Sequence, residues 1–334
     1  MKRPVDLSMN EMPFLPPENI VGAAREGLLK LNRYAGQEDL KQLRGLLARY
    51  AGVPEAHIIP GPGSDFLLRE IIHSFSGGRK VVMVSPSFMP TVQKAKQFAT
   101  KFVGIRLSPP EFDLNPGILL SELTEPTLVI IDNPNNPTGK ILLDRQTVEA
   151  VLCNENAFLV IDEAYFEFSG VTFADLVPDH PNLAITRTLD KAFSLAGARV
   201  GYLAAGEYFT DAFASFYALL PQSSLYAAIA ALQSVAYMEE NVRFIADERK
   251  RLQKKMIELG AAAYSSSANF LLVKTKIPEI AVKLKEMGVL VSDISGQFIS
   301  GAIRVSVGWR EENDAFIDAY RRVVETRNSK VEIR

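Results

Sequence analysis

The stretch TLVIIDNPNNPTGKILLDRQTVEAVLCNENAFLVIDEAY, residues 127–165, decides the architecture. TLVIID (127–132) is an unbroken apolar run closed by a carboxylate, which reads as a buried strand. Residues 144–153 read as a helix, and FLVID (158–162) as a second buried strand. The same alternation extends outward. VVMV (81–84), KFVGIRL (101–107), LAIT (183–186) and GYLAA (201–205) read as strands, with a helical segment at 90–99. Strands alternating with helices predict a mostly parallel sheet flanked by helices on both faces. In such sheets ligands bind at the carboxyl ends of the strands.

Upstream, residues 1–19 hold four prolines and predict an extended arm without a helix. Residues 20–32 predict a short helix. QEDLKQLRGLLARYA (37–51) places Leu40, Leu43, Leu46 and Leu47 at helical spacing. GPGSD (61–65) predicts a turn, followed by a helix over 65–75 capped by Ser64 or Asp65. From about residue 222 the character changes. One long helix is expected over 223–259, then a strand at 268–274, a helix at 277–288, strands in VLVSD and AIRVSVG, and a final helix at 310–327. The expected fold class is α/β, a large mostly parallel sheet domain plus a smaller α+β domain. The large domain is expected over 34–235, and the small one from 1–33 with 236–334.

Composition narrows the function classes. Apolar residues make up 47% and charged residues 23% of the 334, as in an ordinary globular protein. A formal net charge of −2 predicts no nucleic-acid or membrane partner. One cysteine, Cys153, excludes an internal disulfide and reads as a small core residue. The three histidines stand at unrelated spacings, so no metal site is expected. The basic N-terminus has no apolar run behind it and does not read as a signal peptide. The expected setting is the cytoplasm.

Four segments could carry chemistry. NPNNPTGK (133–140) reads either as a surface turn or as a rigid loop presenting the Asn135 and Asn136 amides. In IDEAY (161–165), Asp162 and Glu163 end a buried strand and need partners, which a cap or an ion pair would also supply. GPGSD resembles an anion cradle, a glycine turn at a helix start. It is not the dinucleotide fingerprint, because Phe66 stands at the third glycine position, and it lacks the P-loop lysine. TRTLDKAFSLAGARVGY (186–202) contains Lys191 and Arg199. Taken alone, Lys191 is a solvated loop lysine or an imine-forming amine at the edge of a core. Together the segments offer an anion cradle, a stacking aromatic (Phe88), a carboxylate, a tyrosine, an amide, a lysine and an arginine. Pyridoxal phosphate needs this set.

NNPTG (135–139), DEAY (162–165) and KAFSLAGARVGY (191–202) resemble the motifs of fold-type I aminotransferases in order and approximate spacing. The chain is most similar to the histidinol-phosphate aminotransferase group, from about Leu7 to Tyr320. LSMNEMP (7–13), RYAGQEDLKQLR (33–44), PGSD (62–65), SANF (267–270) and IRVSVGWREEN (303–313) support this.

The resemblance implies a pyridoxal 5'-phosphate enzyme passing an amino group from histidinol phosphate or an aromatic amino acid to 2-oxoglutarate. It implies Lys191, Asp162 and Tyr165 as catalytic residues. Lys191 would be the Schiff-base lysine and general base, and Asp162 would pair with the pyridinium nitrogen. Asn136 and Tyr165 would bond the ring oxygen, and Phe88 would stack on the ring. The Ser64 and Asp65 backbone amides and Arg199 would hold the phosphate. Tyr34 would reach the phosphate of a neighbouring subunit, implying a homodimer with shared sites. Arg304 would bind an acidic group of the substrate, and Asn10 would help close the entrance.

Two departures stand out. Relatives carry serine before the lysine, where this chain has Asp190. Either Asp190 points away to pair with Arg199, or Thr186 and Thr188 supply the missing hydroxyl. Ser292 stands where histidinol-phosphate enzymes tend to carry an arginine, which weighs against a phosphorylated substrate. Trp309, with Phe14 and Tyr34 nearby, would suit an aromatic or imidazole side chain. The rival readings are a threonine-phosphate decarboxylase, a phosphate-binding α/β protein without covalent chemistry, and a cofactor-binding protein without turnover.

Overall fold

The computed structural model describes residues 4–215, 220–296 and 299–332. The N-terminal arm supplies β1 (Val5–Leu7), α1 (Glu18–Leu28) and α2 (Gln37–Ala51). The alternating region begins with β2 (Ile58–Gly61), α3 (Ser64–Phe75), β3 (Lys80–Ser85), α4 (Met89–Phe98) and β4 (Lys101–Arg106). It continues through α5 (Pro116–Ser121), β5 (Thr127–Asp132), α6 (Arg145–Leu152), β6 (Ala157–Asp162) and α7 (Phe166–Ser169). β7 (Leu183–Thr188), β8 (Gly201–Ala205) and α8 (Glu207–Ala212) lead to α9 (Gln222–Leu232) and α10 (Ala236–Glu258). The chain closes with β9 (Ala262–Ala263), β10 (Phe270–Lys274), α11 (Ile280–Glu286), β11 (Val289–Asp293), β12 (Ala302–Ser306) and α12 (Arg310–Glu332).

The large sheet runs β2-β8-β7-β6-β5-β3-β4. β3 through β7 pair in parallel, and only β8 runs against them, with β2 pairing antiparallel to β8 at the edge. Side-chain alternation explains why these strands are apolar throughout. Val82, Val129, Leu159 and Ile185 enter one core, while Val81, Leu128, Val160 and Ala184 enter the core on the opposite face. β4 lies on one side of β3, whereas β5, β6 and β7 lie on the other. Loops leaving β3 and β5 therefore diverge, and a crevice opens at their carboxyl ends. The register sets Asp132 opposite Asp162, and Asp162 opposite Thr186.

A second sheet, β1-β11-β12-β10-β9, is antiparallel except for the β1–β11 pair. Its core joins Leu271, Val273 and Ile303 to Leu252 of α10, Leu284 of α11 and Phe316 of α12. β1 belongs to this sheet, while α1 lies against α9, with Ile20, Leu43 and Leu225 in one cluster. No described helix is long and apolar enough to cross a membrane.

Several expectations are corrected. The helix expected over 223–259 is two helices, parted at residues 233–235 without a glycine or proline to mark the break. α3 begins at Ser64, and Gly63, not a side chain of Ser64 or Asp65, holds the N-cap position. Residues 58–61 form a strand that two apolar residues were too short to announce. α1 starts at Glu18, inside the arm expected to be free of helix, because Pro17 suits the residue before a first turn. Cys153 is exposed at the C-cap of α6.

Two glycines of α1 separate packing from propensity. A Cβ on Gly27 would lie 2.5 Å from Ser223 N in α9, whereas Gly22 has nothing within 4 Å. Gly27→Ala should lower stability by about 1–3 kcal/mol through overpacking. Gly22→Ala should raise it by about 0.5–1 kcal/mol through helix propensity. Urea unfolding midpoints of the two variants, moving in opposite directions, check this.

Candidate active site

The crevice holds a cavity of about 580 Å³. Its wall comes from the loops after β3, β5, β6 and β7, the first turn of α3, and strands β11 and β12. Of the residues singled out from sequence, Asn10, Ser64, Asp65, Phe88, Asn136, Asp162, Tyr165, Lys191, Arg199 and Arg304 all line it. Tyr34 does not. It is 80% exposed, and its contact with the body is through its backbone oxygen, which accepts from Gln222 Nε2 at 3.0 Å.

Asp162, the last residue of β6, is buried and accepts from Thr186 Oγ1 at 2.6 Å. Burial raises its carboxyl from the ordinary 3.8 to about 7, an effect the Thr186 bond only partly offsets and the nearby Asp132 charge adds to. Among the described residues it has no cationic partner within salt-bridge distance. Its neighbour Glu163 faces away and pairs with buried Arg187 at 2.8 Å, so that carboxylate is structural.

Asp132, at the end of β5, organises the loop that follows. It accepts from Ser87 Oγ at 2.9 Å, Asn135 Nδ2 at 3.0 Å and the Asn136 backbone N–H at 2.7 Å. Burial raises its carboxyl to about 6. Asn135 is thereby spent on holding the loop, and Asn136 alone reaches the cavity. Asn136 Oδ1 accepts from Arg304 Nη1 at 2.7 Å, and Arg304 Nη2 donates to the Ser8 carbonyl at 2.7 Å. Arg304 Nε is buried with no partner.

Asn10 sits at φ +53°, a left-handed conformation that asparagine tolerates better than most residues. Its Nδ2 donates to the Tyr165 hydroxyl at 3.0 Å, and its backbone N–H donates to Ser306 Oγ at 2.8 Å. The arm is thus tied to both β12 and the loop after β6. Lys191 follows β7 and has no ion pair among the described residues.

The two readings of Asp190 are separated by geometry. Its carboxylate pairs with Arg199 Nη1, but Asp190 lines the cavity and does not point away from it, and Arg199 Nη2 holds Asp65. Thr186 is occupied at Asp162, and Thr188 Oγ1 donates to the Val200 carbonyl at 3.2 Å. The aromatic side wall expected from Trp309 does not form. Trp309 packs edge-on against Phe14 at 4.5 Å and Phe244 at 5.4 Å, apart from the cavity lining, and Tyr34 is not in that group. Thr186, Asp132 and Ser87 were not foreseen in these roles. The strand register facing Thr186 to Asp162 was the available signal for the first.

Without a bound cation, Asp162 should make stability fall as pH rises. Between pH 3.8 and about 7 the folded protein keeps a proton that the unfolded chain has lost. Asp162→Asn removes that penalty. Its stability relative to wild type, from urea unfolding of ligand-free protein, should increase across this range by up to about 4 kcal/mol.

The model of the family described as aminotransferase class I and II matches residues 2–319. The histidinol-phosphate aminotransferase of Sulfurisphaera tokodaii is 36% identical, over 98% of this chain and 92% of that protein. That of Thermoanaerobacter sp. strain X514 is 34% identical, over 95% and 92%. The crystal structure of histidinol-phosphate aminotransferase from Sinorhizobium meliloti in complex with pyridoxal-5'-phosphate superposes with a TM-score of 0.86 at 26% identity. It covers 97% of this chain and 92% of that one. With the cavity at the carboxyl ends of the sheet and the motifs lining it, the chain belongs to the aminotransferase class I and II family.

Proposed function

We propose that this protein is a pyridoxal 5'-phosphate-dependent aminotransferase moving an amino group between histidinol phosphate, or an aromatic amino acid, and 2-oxoglutarate. The observation that carries this is the convergence of Lys191 and the cation-free, desolvated Asp162 on one cavity. The donor set fits the cofactor. A buried carboxylate without a cation suits a protonated ring nitrogen, and the uncapped first turn of α3 suits a phosphate. When bound, pyridoxal phosphate supplies an aldehyde for amines and a ring that withdraws electrons from the substrate α carbon.

The residues then divide the work. Lys191 Nζ removes and returns the proton at the substrate α carbon, as general base and acid. Asp162 accepts a hydrogen bond from the ring N–H and holds that proton in place. The Tyr165 hydroxyl, which already accepts from Asn10, keeps its own proton to donate to the ring oxygen. Asn136, whose Oδ1 is taken by Arg304, offers its NH₂ to the same oxygen. Phe88 stacks on the ring. The Ser64 and Asp65 amides with Arg199 receive the phosphate, and Arg304, which spends one N–H of each terminal nitrogen on Asn136 and Ser8, keeps its remaining donors for an acidic group of the substrate.

The proposal includes a homodimer. Leu29, Leu31 and Tyr34 are 86%, 74% and 80% exposed, an apolar surface suited to a second copy, with Tyr34 reaching the other subunit's cofactor phosphate. It also includes a cytoplasmic setting and a division of the chain into 34–235 against 1–33 with 236–334.

The purified protein should be yellow with pyridoxal phosphate, and borohydride should fix the cofactor to Lys191, as peptide mass mapping would read. Lys191→Ala should lose that adduct and lower kcat by at least about 10²-fold. Candidate donors supplied singly with 2-oxoglutarate should yield glutamate. A colourless protein that takes up no cofactor sinks the proposal. Carbon dioxide release from threonine phosphate without glutamate would replace it with a decarboxylase, and cofactor binding without any turnover would leave only a binding protein.

A further inference from the structure

The anion cradle at α3 has an unusual charge balance. Ser64 and Asp65, the first residues of α3, line the cavity, and no side chain caps the helix. The backbone there is tightly nested. A Cβ on Gly63 would meet Arg199 Nη2 at 2.6 Å, and a Cβ on Gly201 would meet Ser64 N at 2.6 Å. The cation that closes the cradle, Arg199, already holds a carboxylate on each of its two terminal nitrogens, Asp190 and Asp65. Asp65 also pairs with Arg69 one turn along α3, at 2.7 Å.

Asp190 is only 4% exposed and lines the cavity. Its Oδ2 lies on Arg199, but its Oδ1 is buried without a hydrogen bond. The charged groups around it are Arg199 at the foot of β8, Asp65 and Arg69 on α3, Lys191 next in the chain, and Asp162 at the end of β6. Arg199 and Arg69 are thus already matched by Asp65 and Asp190 before any ligand arrives. A phosphate dianion placed here would meet a carboxylate at close range, and two such anions do not both stay ionised.

We propose that Asp190 binds the cofactor phosphate as a neutral carboxylic acid. Oδ2 stays on Arg199, and Oδ1 carries a proton that it donates to a phosphate oxygen. Cofactor binding is then coupled to uptake of one proton from solvent at pH above about 6, where the free phosphate is doubly ionised. The proposal rests on the cofactor reading above, and it adds a proton linkage that a hydroxyl at this position would not produce.

The test titrates wild type, Asp190→Ser and Asp190→Asn, each freed of cofactor, with pyridoxal phosphate, following visible absorbance. The wild-type Kd divided by either variant's Kd should rise about tenfold per pH unit between about pH 7 and 9. The Lys191 contribution to pH dependence is common to all three proteins and cancels in the ratio. The ³¹P resonance of wild-type holoprotein should keep the doubly ionised position found in Asp190→Ser, because the proton sits on the carboxyl; a singly ionised position would place it on the phosphate and overturn the proposal. Asn keeps the shape of the side chain, so it serves even if the serine variant folds poorly. Parallel pH slopes in wild type and Asp190→Asn would overturn the proposal while leaving the cofactor reading intact. No binding by any of the three would overturn both.

Discussion

The site depends on carboxylates forced out of water at the ends of strands buried on both faces. β5 and β6 each end in aspartate because their carboxyl termini open onto the crevice. The sheet leaves those groups no solvent, so each must be satisfied by what its neighbours bring. Asp132 is satisfied from within, by Ser87, Asn135 and the Asn136 N–H. Asp162 receives only a threonine hydroxyl from a side chain and remains electrostatically unfinished. The first arrangement builds a rigid loop. The second leaves a demand that a cationic ligand can meet.

The same logic separates neighbouring residues. Asp162 and Glu163 are adjacent in sequence, but strand geometry sends them to opposite sides. Glu163 meets Arg187 in a fully buried pair, and Arg187 lies 3.7 Å from the Phe166 ring centroid. That side is closed and structural, while the Asp162 side is open to the cavity. Asn135 and Asn136 repeat the division within the loop after β5.

Much of this was legible in the sequence because the strands of the large sheet are continuous apolar runs. Thr127–Asp132 and Gly201–Ala205 coincide with their expected strands, and Gln37–Ala51 with its expected helix. The cavity residues were legible because turn formers and polar groups interrupt those runs at strand ends. The break at residues 233–235 was not, since nothing local disfavours helix there; α9 packs on α1 and α2, whereas α10 runs on to the second core. Phe14 does meet Trp309 as expected, but the group is completed by Phe244 of α10, distant in sequence, and Tyr34 lies elsewhere. Cys153 misled because a small apolar residue just past a helix can end on either face.

β11 enters the cavity differently from every other wall. Ser292 on β11 and Ile294 just past it line the cavity, and among the described residues the Ser292 hydroxyl has no part in the hydrogen bonds that fix Asp162, Asn136, Tyr165 and Arg304. Ser292 stands opposite Arg304 in the strand register, yet Arg304 is held by Asn136 and the Ser8 carbonyl. Exchanging the residue at 292 would therefore reshape the cavity lining without removing any of those hydrogen bonds, which leaves β11 freer to vary than the strands that end in Asp132 and Asp162.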